Sequence, residues 1–71
     1  MTNVELVIPV YNEEGILEQS ICTLQAWCAG QPEYSWNIVI ANNASTDRTL
    51  EIAHQLADKS PGQVSVHDIG I

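Results

Sequence analysis

Apolar side chains recur along this chain at two different spacings, and the change of spacing separates its elements. Val4, Leu6, Val7, Ile8 and Val10 form a run rich in β-branched residues with Pro9 near its end, which predicts a strand that stops there. The segment Tyr11-Asn12-Glu13-Glu14-Gly15 reads as a loop. Leu17, Ile21, Leu24 and Cys28 then follow at alternating four- and three-residue steps, the spacing of one apolar helical face. The helix is expected to begin near Glu13 or Glu14, whose carboxylates suit the positive end of a helix dipole, and to end at Gly30 and Pro32.

The pattern then repeats. Ile38, Val39 and Ile40 are continuous within Trp36 to Ala41, as in strands covered on both faces. Asn42-Asn43-Ala44-Ser45-Thr46-Asp47 is turn and cap chemistry. Leu50, Ala53 and Ala57 line a second helical face with Ile52 and Leu56 beside it, and this helix should end around Lys59, before Pro61-Gly62. Val64, Val66 and Ile69 around Ser65 and His67 predict a third strand. Strand-helix-strand-helix-strand with short connections calls for right-handed crossovers and a parallel sheet, the α/β class. Seven strand residues span about 23 Å and thirteen helical ones about 20 Å, so the lengths match. Three parallel strands leave unpaired edges and poorly covered faces, so residues 1–71 are expected to form part of a larger domain.

Composition narrows the partners. Hydrophobic residues make up 45% of the chain, enough for a packed core. Nine acidic residues against Arg48 and Lys59 give a formal charge of -7, which opposes nucleic acid and anionic lipid as partners. Cys22 and Cys28 suggest neither a disulfide framework nor a zinc site; both are expected to be buried thiols in a reducing, cytoplasmic setting. Nothing after Met1 resembles a secretion signal, and no apolar run approaches the roughly 18 residues a membrane span requires. His54 and His67 lack partners at metal-binding spacing and are expected to be structural or exposed, and Trp27 and Trp36 are assigned to core and edge packing.

In open parallel sheets ligands bind beyond the carboxyl ends of the strands, which directs attention to the segments after the first two. The chain has neither GxGxxG nor GxxxxGK[ST], so ordinary dinucleotide and P-loop readings fail. Taken together, Val7-Ile8-Pro9-Val10-Tyr11-Asn12-Glu13-Glu14 and Ile38-Val39-Ile40-Ala41-Asn42-Asn43-Ala44-Ser45-Thr46-Asp47-Arg48-Thr49 resemble glycosyltransferase family 2, including its dolichyl-phosphate-mannose-synthase-like members. The resemblance covers almost the whole chain. It implies a Rossmann-like parallel sheet, the β-α-β-α-β portion of a nucleotide-diphospho-sugar transferase domain, with residues 1–71 as its N-terminal part. It also implies inverting transfer of a sugar from a UDP- or GDP-sugar donor to an acceptor hydroxyl or a polyprenyl phosphate, in cell-wall or glycolipid synthesis at the cytoplasmic face of a membrane.

Position by position, the resemblance carries donor binding to Pro9, Tyr11 and Glu13 in the first segment and to Ile40 and Asn42 in the second. Tyr11 would lie against a nucleobase and Glu13 would accept from ribose hydroxyls or base N–H groups. A divalent metal, Mg or Mn, is implied to neutralise the phosphates, with its Asp-x-Asp ligands and the acidic general base outside these residues. No catalytic or metal residue is assigned here, and the stretch alone is expected to be inactive. The family commonly has Asp where Asn42 stands, so a charged acceptor is replaced by an amide. That motivates an alternative, a non-catalytic nucleotide-sugar-binding domain, beside a second, an unrelated Rossmann-like interaction module. Plainer roles also exist: Glu13 and Glu14 as dipole partners, Asn42 and Asn43 as turn formers, and Ser45, Thr46 and Asp47 as helix caps outside the site.

Overall fold

The computed structural model describes residues 2–69. Strand β1 spans Thr2–Val10, helix α1 Leu17–Ala29, β2 Tyr34–Asn42, α2 Thr49–Lys59 and β3 Val64–Asp68. The three strands form one parallel sheet in the order β1-β2-β3, with Leu6 opposite Ile38 and Ile38 opposite Val64. The expected α/β order is therefore the observed one.

Side chains alternate across a strand, and this register sorts the sheet into two unlike faces. Even-numbered Val10, Ile38, Ile40 and Val64 form a core cluster with Leu17 and Ile21 of α1 and Ala53 and Leu56 of α2, with Ile8 and Val66 packed against it. Both helices thus cover the even-numbered face. The odd-numbered face carries no helix among the described residues, and Val7 on it is 55% exposed. Helices cover only one face of β2 among the described residues, and on the other Val39 is half-buried and Ala41 buried in the central strand.

Four local expectations change. Helix α1 begins at Leu17, not near Glu13, because Glu13–Leu17 closes first as a turn in which the Glu13 carbonyl accepts from the Ile16 and Leu17 N–H groups at 3.1 and 2.9 Å. Cys22 is exposed while Cys28 is buried: Cys22 follows Ile21, about 100° round the helix from the apolar stripe, and Cys28 lies on it. On α2 the buried line is Thr49, Ala53 and Leu56, with Ile52 and Ala57 packed against the core and Leu50 half-buried. Ile69 is exposed beyond β3, although its N–H donates to the Asn42 carbonyl at 2.8 Å.

At the amino-terminal end of β2, the Trp36 ring stands edge-on to Trp27 and Tyr34 with centroids 5.2 and 5.5 Å apart. Trp27 remains 54% exposed, so this pair packs at the margin of the core. The carboxyl end of the sheet is where the two polar segments meet.

Candidate functional site

The loops after β1 and β2 are joined to each other before they are joined to anything else. Asn12 adopts a left-handed backbone with φ of 50°, which asparagine tolerates because its short side chain bonds locally. That conformation lets its N–H donate to Ser45 Oγ at 3.0 Å while its Oδ1 accepts from the Thr46 N–H at 2.8 Å. Ala44 supplies the matching left-handed turn in the second loop, with φ of 55°. Beneath this contact, the Asn43 N–H donates to the Val10 carbonyl at 2.9 Å and continues the ladder past the strand ends.

A second tie is partly buried. The Glu13 N–H donates to Thr49 Oγ1 at 2.7 Å, and the Thr49 hydroxyl donates in turn to Asp47 Oδ1. The same carboxylate oxygen accepts the Thr49 N–H at 2.9 Å, and Asp47 Oδ2 receives the Glu14 N–H at 3.4 Å. The Thr49 side-chain bond, with main-chain N–H groups of Thr49 and Glu14, holds the Asp47 carboxyl below its ordinary value against partial desolvation. The N-cap position of α2 is Arg48, without a side-chain cap bond, and Asp47 just before it accepts the Thr49 N–H; Ser45, Thr46 and Asp47 also join the loops. Nothing in their composition signals that second role, because the partners lie more than thirty residues away in sequence.

The five expected contact residues fall on two sides of the sheet. Pro9 and Tyr11 are exposed, Tyr11 at 58%, and Glu13 is half-buried beside them. Ile40 is fully buried in the core cluster, on the helix-covered face. Asn42 projects to that same face and is 1% exposed. The neighbour that shares the side of Pro9 and Ala41 is Asn43, whose side of the strand is open and which is exposed.

Asn42 has an unusual balance of partners. Its Nδ2 donates to Asp68 Oδ1 at 3.1 Å, while its Oδ1 is buried with no hydrogen-bond partner among the described residues. Turning the amide would set its oxygen against the Asp68 carboxylate, so Asp68 fixes the orientation and leaves the acceptor free. Free buried acceptors are uncommon in folded proteins.

Charge at this end is acidic. Arg48, the nearest cation in sequence, is turned to Glu51 at 2.7 Å with both side chains exposed. No three His, Cys, Asp or Glu side chains converge to hold a metal among the described residues. No described helix is long and apolar enough to cross a membrane.

The family model described as Glycosyl transferase family 2 matches residues 5–68. The chain is also similar to dolichyl-phosphate beta-glucosyltransferase ALG5C of Trichomonas vaginalis, 34% identical over 59 residues, which covers 78% of this chain and 18% of that relative. This chain therefore spans less than a fifth of the relative's length. No solved structure matches it.

Proposed function

Because this chain belongs to glycosyl transferase family 2, we propose that it is the N-terminal part of a nucleotide-sugar-binding domain in a glycosyltransferase. The enzyme transfers a sugar from a UDP- or GDP-sugar, with inversion, to an acceptor hydroxyl or a polyprenyl phosphate. The relative named as a dolichyl-phosphate glucosyltransferase supports the second acceptor class. The observation that carries the reading is the pair of joined loops at the carboxyl ends of β1 and β2, which presents Tyr11 and Glu13 together.

In this reading Tyr11 lies against the base, with Pro9 bordering it on the open face. Glu13 accepts from ribose hydroxyls or a base N–H, and Asn43 offers a further amide on the same side. Ile40 and Asn42 support the site from beneath, Ile40 through packing and Asn42 through its bond to Asp68. Inversion requires a single displacement in which an acceptor oxygen, a hydroxyl losing its proton to a general base or an already anionic phosphate oxygen, attacks the anomeric carbon as the nucleoside diphosphate leaves. That base lies outside residues 1–71. A divalent metal would neutralise the departing phosphates, but no group of side chains among the described residues fits one.

The sheet supports the larger-domain reading. Among the described residues β1 pairs with β2 alone, its Val7 faces outward at 55% exposure, and a groove lined by Ile8, Ile21, Leu24 and Trp27 opens between β1 and α1. A long edge strand of this kind is a liability unless covered. A further strand added at β1 would reverse the strand order there, and ligands bind at such switch points, beside the Tyr11 loop.

The test is thermal denaturation of the full-length protein with UDP or GDP and manganese, which should raise its Tm. Absence of a shift with either nucleotide at millimolar concentration would overturn the donor-site reading.

A further inference from the structure

The first loop has almost no apolar anchor. Tyr11, Asn12, Glu14, Gly15 and Ile16 are all exposed, and only Glu13 is half-buried. Its position therefore rests on hydrogen bonds to the second loop. Those of Asn12 are exposed, so water competes for them, whereas the bond from the Glu13 N–H to Thr49 Oγ1 is partly buried and Thr49 itself is 0% exposed. A buried donor left unpaired is the costlier loss.

We propose that Thr49 is a positioning residue for Glu13: its hydroxyl, held by Asp47, fixes the Glu13 main chain and so sets where the Glu13 carboxylate meets the donor nucleoside. The inference rests on the donor-site reading and adds to it a residue on α2. The hydroxyl is suited to the task because both of its roles are used. It accepts from Glu13 and donates to Asp47, which accepts the Thr49 N–H as well, so the hydroxyl has one settled direction. Beginning α2 at Thr49 anchors this relay on a helix whose next turns are packed through Ala53 and Leu56. The first loop thereby borrows its rigidity from the second crossover, through a contact 36 residues distant in sequence.

The experiment is a double-mutant cycle on the full-length protein, reading affinity by calorimetry for UDP or GDP, whichever binds the wild type more tightly. Thr49→Val, which removes the hydroxyl and keeps the branched side chain, should weaken binding roughly two- to tenfold, the value of one hydrogen bond. Thr49→Ser should restore it. In a Glu13→Ala background, Thr49→Val should change affinity less than about twofold, because the group it positions is gone. Equal losses in both backgrounds, or no loss with Glu13 present, would overturn the proposal while leaving the donor site standing. No binding of either nucleotide by the wild type would remove both. If Thr49→Val does not fold, amide exchange of Glu13 in the wild type decides: protection supports the tie, and free exchange refutes it.

Discussion

Asn42 sits where the family resemblance implies Asp, and its surroundings explain why an amide suits this chain. Its Nδ2 meets the exposed Asp68 carboxylate at 3.1 Å, so Asp at position 42 would replace a donor by a buried acceptor of like charge. Asn42→Asp is therefore expected to lower stability by about 1.5–3 kcal/mol, the range for a hydrogen bond to a charged group. Adding Asp68→Asn should recover most of that loss, because the pair is then reversed, with the amide on β3 and the carboxylate on β2. Denaturant titration of the single and double variants checks this; a double variant no better than Asn42→Asp would show that the Asp68 contact is not what position 42 serves. The exchange at Asn42 is what the family resemblance implies, and the carboxylate that meets it lies 26 residues away, within reach only in the fold.

The loops behave as a joined pair, and the carboxylate at their junction makes the joint sensitive to acid. Asp47 ionises below the ordinary value of 3.8 in the folded chain, chiefly through the Thr49 hydroxyl bond, so its ionised form favours folding. Its contribution is complete above 3.8 and is lost as the pH falls below that value through the folded one. The wild type should therefore melt at higher temperature than Asp47→Asn near neutrality, and the difference should close as the pH is taken below 3.8. Thermal melts of both across that range test it, and a constant difference would mean that Asp47 acts without its charge. Helix α1 illustrates the same coupling: the Glu13 and Glu14 N–H groups are taken by Thr49 and Asp47, and the first helical turn waits until Leu17.

Across the whole molecule, the two sheet faces and two sheet edges are unequal. Edge strand β3 is short, with Ser65, His67 and Asp68 exposed, while β1 has nine residues, a half-buried apolar series and the groove beside α1. The remaining strands of the proposed domain are thus expected to add at β1. In the full-length protein, both alternate sets of β1 amides should then be protected from hydrogen exchange, those facing β2 and those facing away. Fast exchange of one alternate set would show that β1 is a free edge and that the sheet grows elsewhere.

Hydrophobic spacing by itself determined the five elements, their order and the parallel sheet, because period and loop length leave few ways to bury Leu17, Ile21, Ile38 and Ile40 together. It also pointed to the strand-end loops, since polar residues after buried strands collect at one edge of such a sheet. Tertiary structure alone decided which side of the strand each candidate faces. Ile40 and Asn42 turn into the helix-covered face, and Pro9 and Asn43 lie on the open one, a distinction that hangs on strand registration and not on residue type. It likewise decided the partners of Asn12, Glu13 and Asn42, because those hydrogen bonds join residues that only the packed crossovers bring within reach.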